Sequence, residues 1–322
     1  MILVTGGTGF IGSHLLDRLA DAGEPVRVLV RPKAARPKMV LPRGVEAVSG
    51  DLVTGEGLSE AARGAGAIIH IAGVLKALKP DDYYRGNVRA TENLARAAAP
   101  GTRFVHVSSL AVCGPSPADG SLNEDSETRP FTHYGKSKLE AERILRSLLP
   151  QAVIVRPPVV YGPRDTGVYP LLKSISLGVA LQIAGGERWL SFIYVRDLVD
   201  GILAASTSPR ALGRTYFLSH AQPVNWSHLR DAAARVMGRK PLVLRVPVSA
   251  AYGIGYLAEL WSALTRQPGM VSREKIGEAV CPRWVCDSRR AASELGFEAR
   301  TSLDAGLAET LAWYKEAGWV KY

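Results

Sequence analysis

The sequence predicts an α/β protein: a doubly wound parallel sheet followed by a smaller C-terminal substrate lobe. Three observations carry that expectation. A glycine-rich turn sits between an apolar run and a helical pattern at the chain start, short apolar runs then alternate with helical segments as far as Val155, and the texture changes beyond Gly162.

The first element is the strand Ile2-Leu3-Val4. The turn Thr5-Gly6-Gly7-Thr8-Gly9-Phe10-Ile11-Gly12 follows, and Phe10, Ile11, Leu15 and Leu19 then recur at helical spacing. Gly6, Gly9 and Gly12 alone say little, because the chain holds 32 glycines in 322 residues. The strand–loop–helix setting gives them meaning. Missing side chains permit a tight turn, and the free N–H groups at a helix start attract phosphate, so a dinucleotide site is expected here.

The second apolar run, Val26–Val30, leads into Arg31, Lys33, Arg36, Lys38 and Arg43. With Arg27 these form a basic stretch free of acids between Glu24 and Glu46. A dinucleotide fold reads the adenosine ribose at this place. Arg31 and Lys33, where an NAD site usually offers a carboxylate, predict a 2′-phosphate and therefore NADP, with NAD as the alternative. The bland reading is a solvated basic loop. The other basic residues behind the net charge of +10 are dispersed, which ranks nucleic-acid binding last.

Further strands are expected at Val45–Val48, Ala67–Ile71, Phe104–Val107 and Ala152–Val155, with helical segments at Leu58–Ala62 and Asn87–Ala99. Beyond Gly162 come proline-punctuated loops, a polar-edged segment Phe192–Ala205 and an Arg- and Ala-rich tail. The expected division is residues 1–162 for nucleotide binding and 163–322 mainly for substrate, with segments near 190–220 returning to the sheet. Cys113, Cys281 and Cys286 are too few and scattered for a disulfide framework, and the six histidines show no metal-ligand spacing, so no metal site is expected. No charged and apolar leader precedes the first strand, and the expected compartment is the cytoplasm.

Two Tyr-x-x-x-Lys pairs occur, Tyr134 with Lys138 and Tyr169 with Lys173. Spacing cannot choose between them. Tyr134 and Lys138 begin an amphipathic helix ending near Leu149 and share one of its faces, and Ser109 closes the preceding strand, where parallel sheets present reactive groups.

Taken together the residues resemble the extended short-chain dehydrogenase/reductases, or NAD-dependent epimerase/dehydratase superfamily, whose nucleotide domain is of the Rossmann type. The resemblance rests on the glycine turn, Gly50-Asp51-Leu52, His70-Ile71-Ala72-Gly73, Asn87-Val88, Val107-Ser108-Ser109, Tyr134-x-x-x-Lys138 and Arg156-Pro157-Pro158-Val159-Val160-Tyr161-Gly162-Pro163. It implies that Asp51 and Leu52 meet the adenine. Ala72 and Gly73 would line the cofactor, with Pro157 also on the cofactor side, and Asn87 would be a structural support. It makes Ser109, Tyr134 and Lys138 the catalytic triad, in which Tyr134 exchanges a proton with an alcohol or ketone oxygen, Ser109 hydrogen-bonds that oxygen and Lys138 holds the nicotinamide ribose. The Lys138 ammonium is expected to lower the Tyr134 phenol towards working pH. A homodimer through helices flanking the sheet is implied by the family alone.

Three departures bear on the substrate. Nucleotide-sugar members often carry Asn where this chain has Val159, Arg where it has Leu190, and Tyr where it has Cys113. The Arg156-Pro157 version looks more like the branch of 3β-hydroxysteroid dehydrogenases and dihydroflavonol reductases. Residues 248–264, rich in Leu, Tyr and Trp, could wall a lipophilic pocket or touch a membrane without spanning it, with core packing or an oligomer contact as the default. The expected function is an NADP-dependent oxidoreductase interconverting an alcohol and a ketone on a bulky, lipophilic, sterol-like small molecule. The alternatives are a nucleotide-sugar epimerase or dehydratase with tightly bound NAD and a non-catalytic NAD(P)-sensing protein.

Overall fold

The computed structural model describes residues 1–31, 40–269 and 271–322. Lys33, Arg36 and Lys38 of the predicted phosphate-reading stretch lie outside the described residues.

The first half alternates as expected: β1 (Ile2–Thr5), α1 (Phe10–Asp21), β2 (Val26–Val30), β3 (Val45–Ser49), α2 (Leu58–Ala62) and β4 (Ala67–His70). The predicted single helix at 87–99 is instead α3 (Pro80–Tyr83), a π-helical turn at Tyr84–Arg89 and α4 (Ala90–Ala97). Then come β5 (Arg103–Val107), α5 (His133–Leu148), β6 (Val153–Arg156), β7 (Val159–Tyr161), α6 (Tyr169–Ser176), β8 (Val179–Ile183) and β9 (Trp189–Leu190). The segment Phe192–Ala205 divides into β10 (Phe192–Tyr194) and α7 (Val195–Thr207). The remainder is β11 (Thr215–Phe217), β12 (Val224–Asn225), α8 (Trp226–Val236), β13 (Leu242–Val246), α9 (Val248–Thr265), α10 (Arg273–Val280), β14 (Arg283–Trp284), α11 (Arg289–Leu295) and α12 (Leu303–Glu316).

Seven parallel strands form one sheet in the order β11-β6-β5-β4-β1-β2-β3. The order reverses between β1 and β4, which opens a crevice at their carboxyl ends. Pairing aligns Leu3 with Ile68 and Phe104 on one face, and Val4 with Ile69 and Val105 on the other. The first set packs with Leu58, Leu94 and Leu145 from α2, α4 and α5. The second packs with Leu15, Leu16 and Ile202 from α1 and α7. Because both faces are covered, the central strands β1 and β4 read as largely apolar runs, whereas edge strand β3 carries Glu46 and is partly exposed. Truncating one such buried side chain to Ala costs about 2–5 kcal/mol.

The later elements build a second core around Leu172, Ile175, Leu229, Leu311 and Tyr314. Three small sheets edge it: β10-β7, β12-β9-β14 and β13-β8. Tyr169 and Lys173 belong to this region, where both donate to the Trp319 carbonyl, at 3.2 and 2.8 Å. Of the default for residues 248–264, core packing or an oligomer contact, the core packing does not hold. Helix α9 buries only Ala251, Gly255 and Ser262 and leaves its large apolar side chains in solvent. Among the described residues no helix is long and apolar enough to cross a membrane.

Candidate active site

The glycine turn joins β1 to α1 at the crevice. Gly6 has φ +73°, and a β-carbon there would lie 2.6 Å from the Ala72 nitrogen. A β-carbon on Gly12 would be driven into the Gly6 carbonyl. The turn is thus open only because side chains are missing, and Gly9 caps α1 without a side-chain bond, which leaves first-turn N–H groups for an anion. Phe10 and Ile11 pack their side chains back against the second core. The Thr5 hydroxyl accepts from the Ala72 nitrogen at 3.4 Å, so Ala72 and the exposed Gly73 form the opposite wall.

Arg31 is exposed just past β2. Arg27, counted with it in the basic stretch, is committed elsewhere. It pairs with Glu46 at 2.9 Å and donates to the carbonyls of Glu60, Ala61 and Arg63. Asp51 spends one carboxylate oxygen on the nitrogens of Val53 and Thr54, at 2.7 and 3.2 Å, which rigidifies its loop, and Asn93 ties down the Leu52 carbonyl at 2.9 Å. Pro157 is buried and accepts from the Leu110 nitrogen at 2.9 Å. That bond positions the turn on which Ser109 sits.

Helix α5 starts where Thr132 caps it, its hydroxyl accepting from the Gly135 nitrogen at 3.1 Å. This start fixes the register that brings Tyr134 and Lys138 to the end of β5. The Lys138 Nζ donates to the Val107 carbonyl at 2.8 Å and lies 3.9 Å from where a Gly73 β-carbon would be. Asn87 couples the parts. It accepts from the Val74 nitrogen at 2.7 Å and donates to the Val74 carbonyl and the Ser137 hydroxyl, at 3.1 and 2.9 Å. The π-helical turn aims Asn87 in this way, and periodicity alone does not reveal such a turn.

Charge is tuned chiefly by burial. Lys138 is brought down to about 8 by loss of water, opposed by the Glu142 carboxylate. Tyr134 is pushed up to about 12, again by burial, while its hydrogen bond with Ser109 pulls the other way and Glu278 and Tyr83 add to the rise. The expectation that Lys138 would lower this phenol is therefore not met. The lost hydration of the phenolate dominates, and the Lys138 ammonium is directed at the Val107 carbonyl. Beneath the site His70 and His106 lie 5.2 Å apart, ring to ring, and both are fully buried. Burial brings His70 down to about 3, and burial with the Lys138 charge brings His106 well below its usual range.

Sequence reasoning missed the contribution of α10. Lys275 Nζ lies 5.5 Å from the Tyr134 ring centre and pairs with Glu278 at 2.6 Å. Glu278 accepts from the Thr132 hydroxyl at 3.3 Å, and Glu274 accepts from the His133 nitrogen at 3.2 Å. Some 140 residues separate these partners, and Glu274-Lys275 with Glu278 reads as an ordinary solvated helix face, so no sequence signal marks them. His133 lies against Tyr84, at 6.2 Å. Cys113 faces the buried pair Arg156–Glu142, bonded at 3.0 and 2.6 Å, and burial holds its thiol neutral at about 11. Val159 presents an open apolar surface, with 37% exposure.

Residues 2–218 match the model of the NAD dependent epimerase/dehydratase family. The chain is similar over almost its whole length to proteins of known activity. It is 34% identical to a ceramide reductase of Caulobacter vibrioides, covering 99% of this chain and 96% of that protein. It is 32% identical to the 4-hydroxy-2-methyl-3-oxo-4-farnesyl-3,4-dihydroquinoline-1-oxide ketoreductase of Stigmatella aurantiaca, covering 94% and 93%. In fold it is similar to the UDP-glucose 4-epimerase of Thermotoga maritima, with a TM-score of 0.81, 20% identity and coverage of 98% and 99%.

Proposed function

The chain belongs to the NAD dependent epimerase/dehydratase family and is an NAD(P)-dependent oxidoreductase of the extended short-chain type, and from that premise we propose that it reduces a ketone on a lipophilic small molecule, using NADPH. The observation that carries the reading is the convergence of Ser109, Tyr134 and Lys138 beside Gly73, at the carboxyl end of β5. The glycine turn suits a dinucleotide because a side chain on Gly6 or Gly12 would fill the space it requires.

Bound there, the nicotinamide supplies hydride. The chain's own residues handle the proton and the oxygen. At neutral pH Tyr134 keeps its O–H, because burial holds the phenol well above that range. It therefore stands ready to protonate the ketone oxygen as the alkoxide develops, which suits reduction better than oxidation. Ser109 donates to the same oxygen and stabilises its growing charge. Lys138, near 8, carries its positive charge at neutral pH and, held by the Val107 carbonyl beside Gly73, would hold the nicotinamide ribose. Arg31, exposed past β2, is the described residue best placed for a 2′-phosphate.

The lipophilic substrate draws support from two relatives named as a ceramide reductase and a ketoreductase of a farnesyl-dihydroquinoline-1-oxide, and from the exposed apolar Val159 where nucleotide-sugar members often carry Asn. The test is to follow nicotinamide absorbance with long-chain ketones, using NADPH and NADH in turn. Steady consumption of NADPH, with Arg31→Asp reversing the preference towards NADH, is the expected result. Tightly held NAD with no net consumption would replace this reading with an epimerase or dehydratase.

A further inference from the structure

Helix α9 is built inside out. Its buried face carries the small residues Ala251, Gly255 and Ser262, and Gly255 lets α10 approach so closely that a β-carbon would lie 3.2 Å from the Arg273 nitrogen. On the exposed side Ile254, Leu257, Trp261 and Leu264, at spacings of three, four and three, make one stripe. These four are 53%, 64%, 67% and 77% exposed. Ordinary amphipathic helices do the reverse, and a contiguous exposed apolar face marks an interaction surface.

The charges around the stripe indicate what covers it. Exposed Arg245 precedes the helix and exposed Arg266 follows it. The single acid within α9, Glu259, is neutralised by Arg273 at 2.7 Å. A second copy of this chain meeting the stripe symmetrically would set arginine against arginine, with Glu259 already paired to Arg273. An anionic lipid surface satisfies both parts of the pattern: apolar side chains enter the acyl boundary, the arginines reach headgroup phosphates, and Trp261 suits the interface. The helix does not qualify as a membrane span, so it would lie in the plane.

We infer that α9 docks the protein on an anionic bilayer. Its bracing partner α10 carries Lys275 and Glu278 to the Tyr134 side of the cleft, so docking sets the cleft beside the bilayer. The benefit to a water-insoluble ketone rests on the proposed function, whereas the docking itself does not.

The test is co-sedimentation of the full chain with vesicles of phosphatidylcholine, with and without phosphatidylglycerol. The expected result is binding to the anionic vesicles that weakens with salt, falls about a hundredfold or more in Leu257→Ser/Trp261→Ser/Leu264→Ser, and falls about tenfold in Arg266→Glu. Unchanged melting and unchanged turnover of a short, water-soluble ketone show that both variants are folded. Wild-type protein left in the supernatant, undiminished binding by the triple variant, or equal binding to neutral vesicles overturns the proposal. So does a dimer in solution that the triple variant splits while wild type ignores vesicles. Vesicle binding without turnover of any ketone would sink the lipid-ketone reading and leave the docking intact.

Discussion

Helices α1 and α9 both carry an apolar stripe, and they turn it in opposite directions. In α1, Leu15, Leu16 and Leu19 are buried against the sheet. In α9 the small residues go inward and Leu257, Trp261 and Leu264 go out. The same pattern of residue types thus serves folding in one region and is left available for contact in the other. Periodicity reports that a stripe exists, while the environment decides what the stripe does.

The contrast extends to chemistry. Around β1, β4 and β5 the site is fixed by burial, and around α10 it is adjusted by charges at the rim. The sharpest way to separate the two is Tyr134→Phe, which removes the proton donor. Turnover is expected to fall about 10²–10⁴-fold with cofactor affinity kept, as read by steady-state rates beside a nucleotide titration. Comparable turnover in that variant would break the assignment.

The next largest effect compares the two stripes directly. Leu16→Ala is expected to cost about 2–5 kcal/mol in denaturant unfolding, because a fully buried side chain leaves a cavity. Leu264→Ala, at an exposed position, is expected within about 0.5 kcal/mol of the parent. Similar losses at both sites would mean that α9 is covered in solution.

Acid should expose the buried histidines. His70 has a folded value near 3, below the ordinary 6.5, so the unfolded chain binds more protons between these limits. The stability gained by burying neutral His70 is complete above about pH 6.5 and is lost progressively as pH falls towards 3, by about 1.4 kcal/mol per unit. His106, also held well below its usual range, adds a fall of the same sign. Unfolding curves at successive pH values should therefore be steeper than this, and His70→Gln should remove the His70 share of the slope and leave the rest.

The smallest expected effect lies at the rim. Glu278 helps raise the Tyr134 phenol, so Glu278→Gln should lower the pH at which that phenol ionises, read as the part of the tyrosinate absorbance that Tyr134→Phe removes, while leaving stability nearly unchanged. An unmoved titration would assign Glu278 only the bond to Thr132.

Much of the nucleotide half was legible because its determinants are local. Two covered faces require apolar runs, a close turn requires missing side chains at Gly6 and Gly12, and a four-residue spacing puts Tyr134 and Lys138 on one helix face. Those features, and the parallel sheet they specify, follow from backbone geometry and short-range sterics. The tertiary structure decided what depends on distant partners. It spent Arg27 on Glu46 and the carbonyls beyond α2, and it placed Glu278 and Lys275 beside residues far away in sequence. It also raised Tyr134 where proximity to a lysine suggested lowering, and turned α9 outward. Burial, and the electrostatics that burial controls, are properties of the whole packed chain, which is why no local pattern contains them.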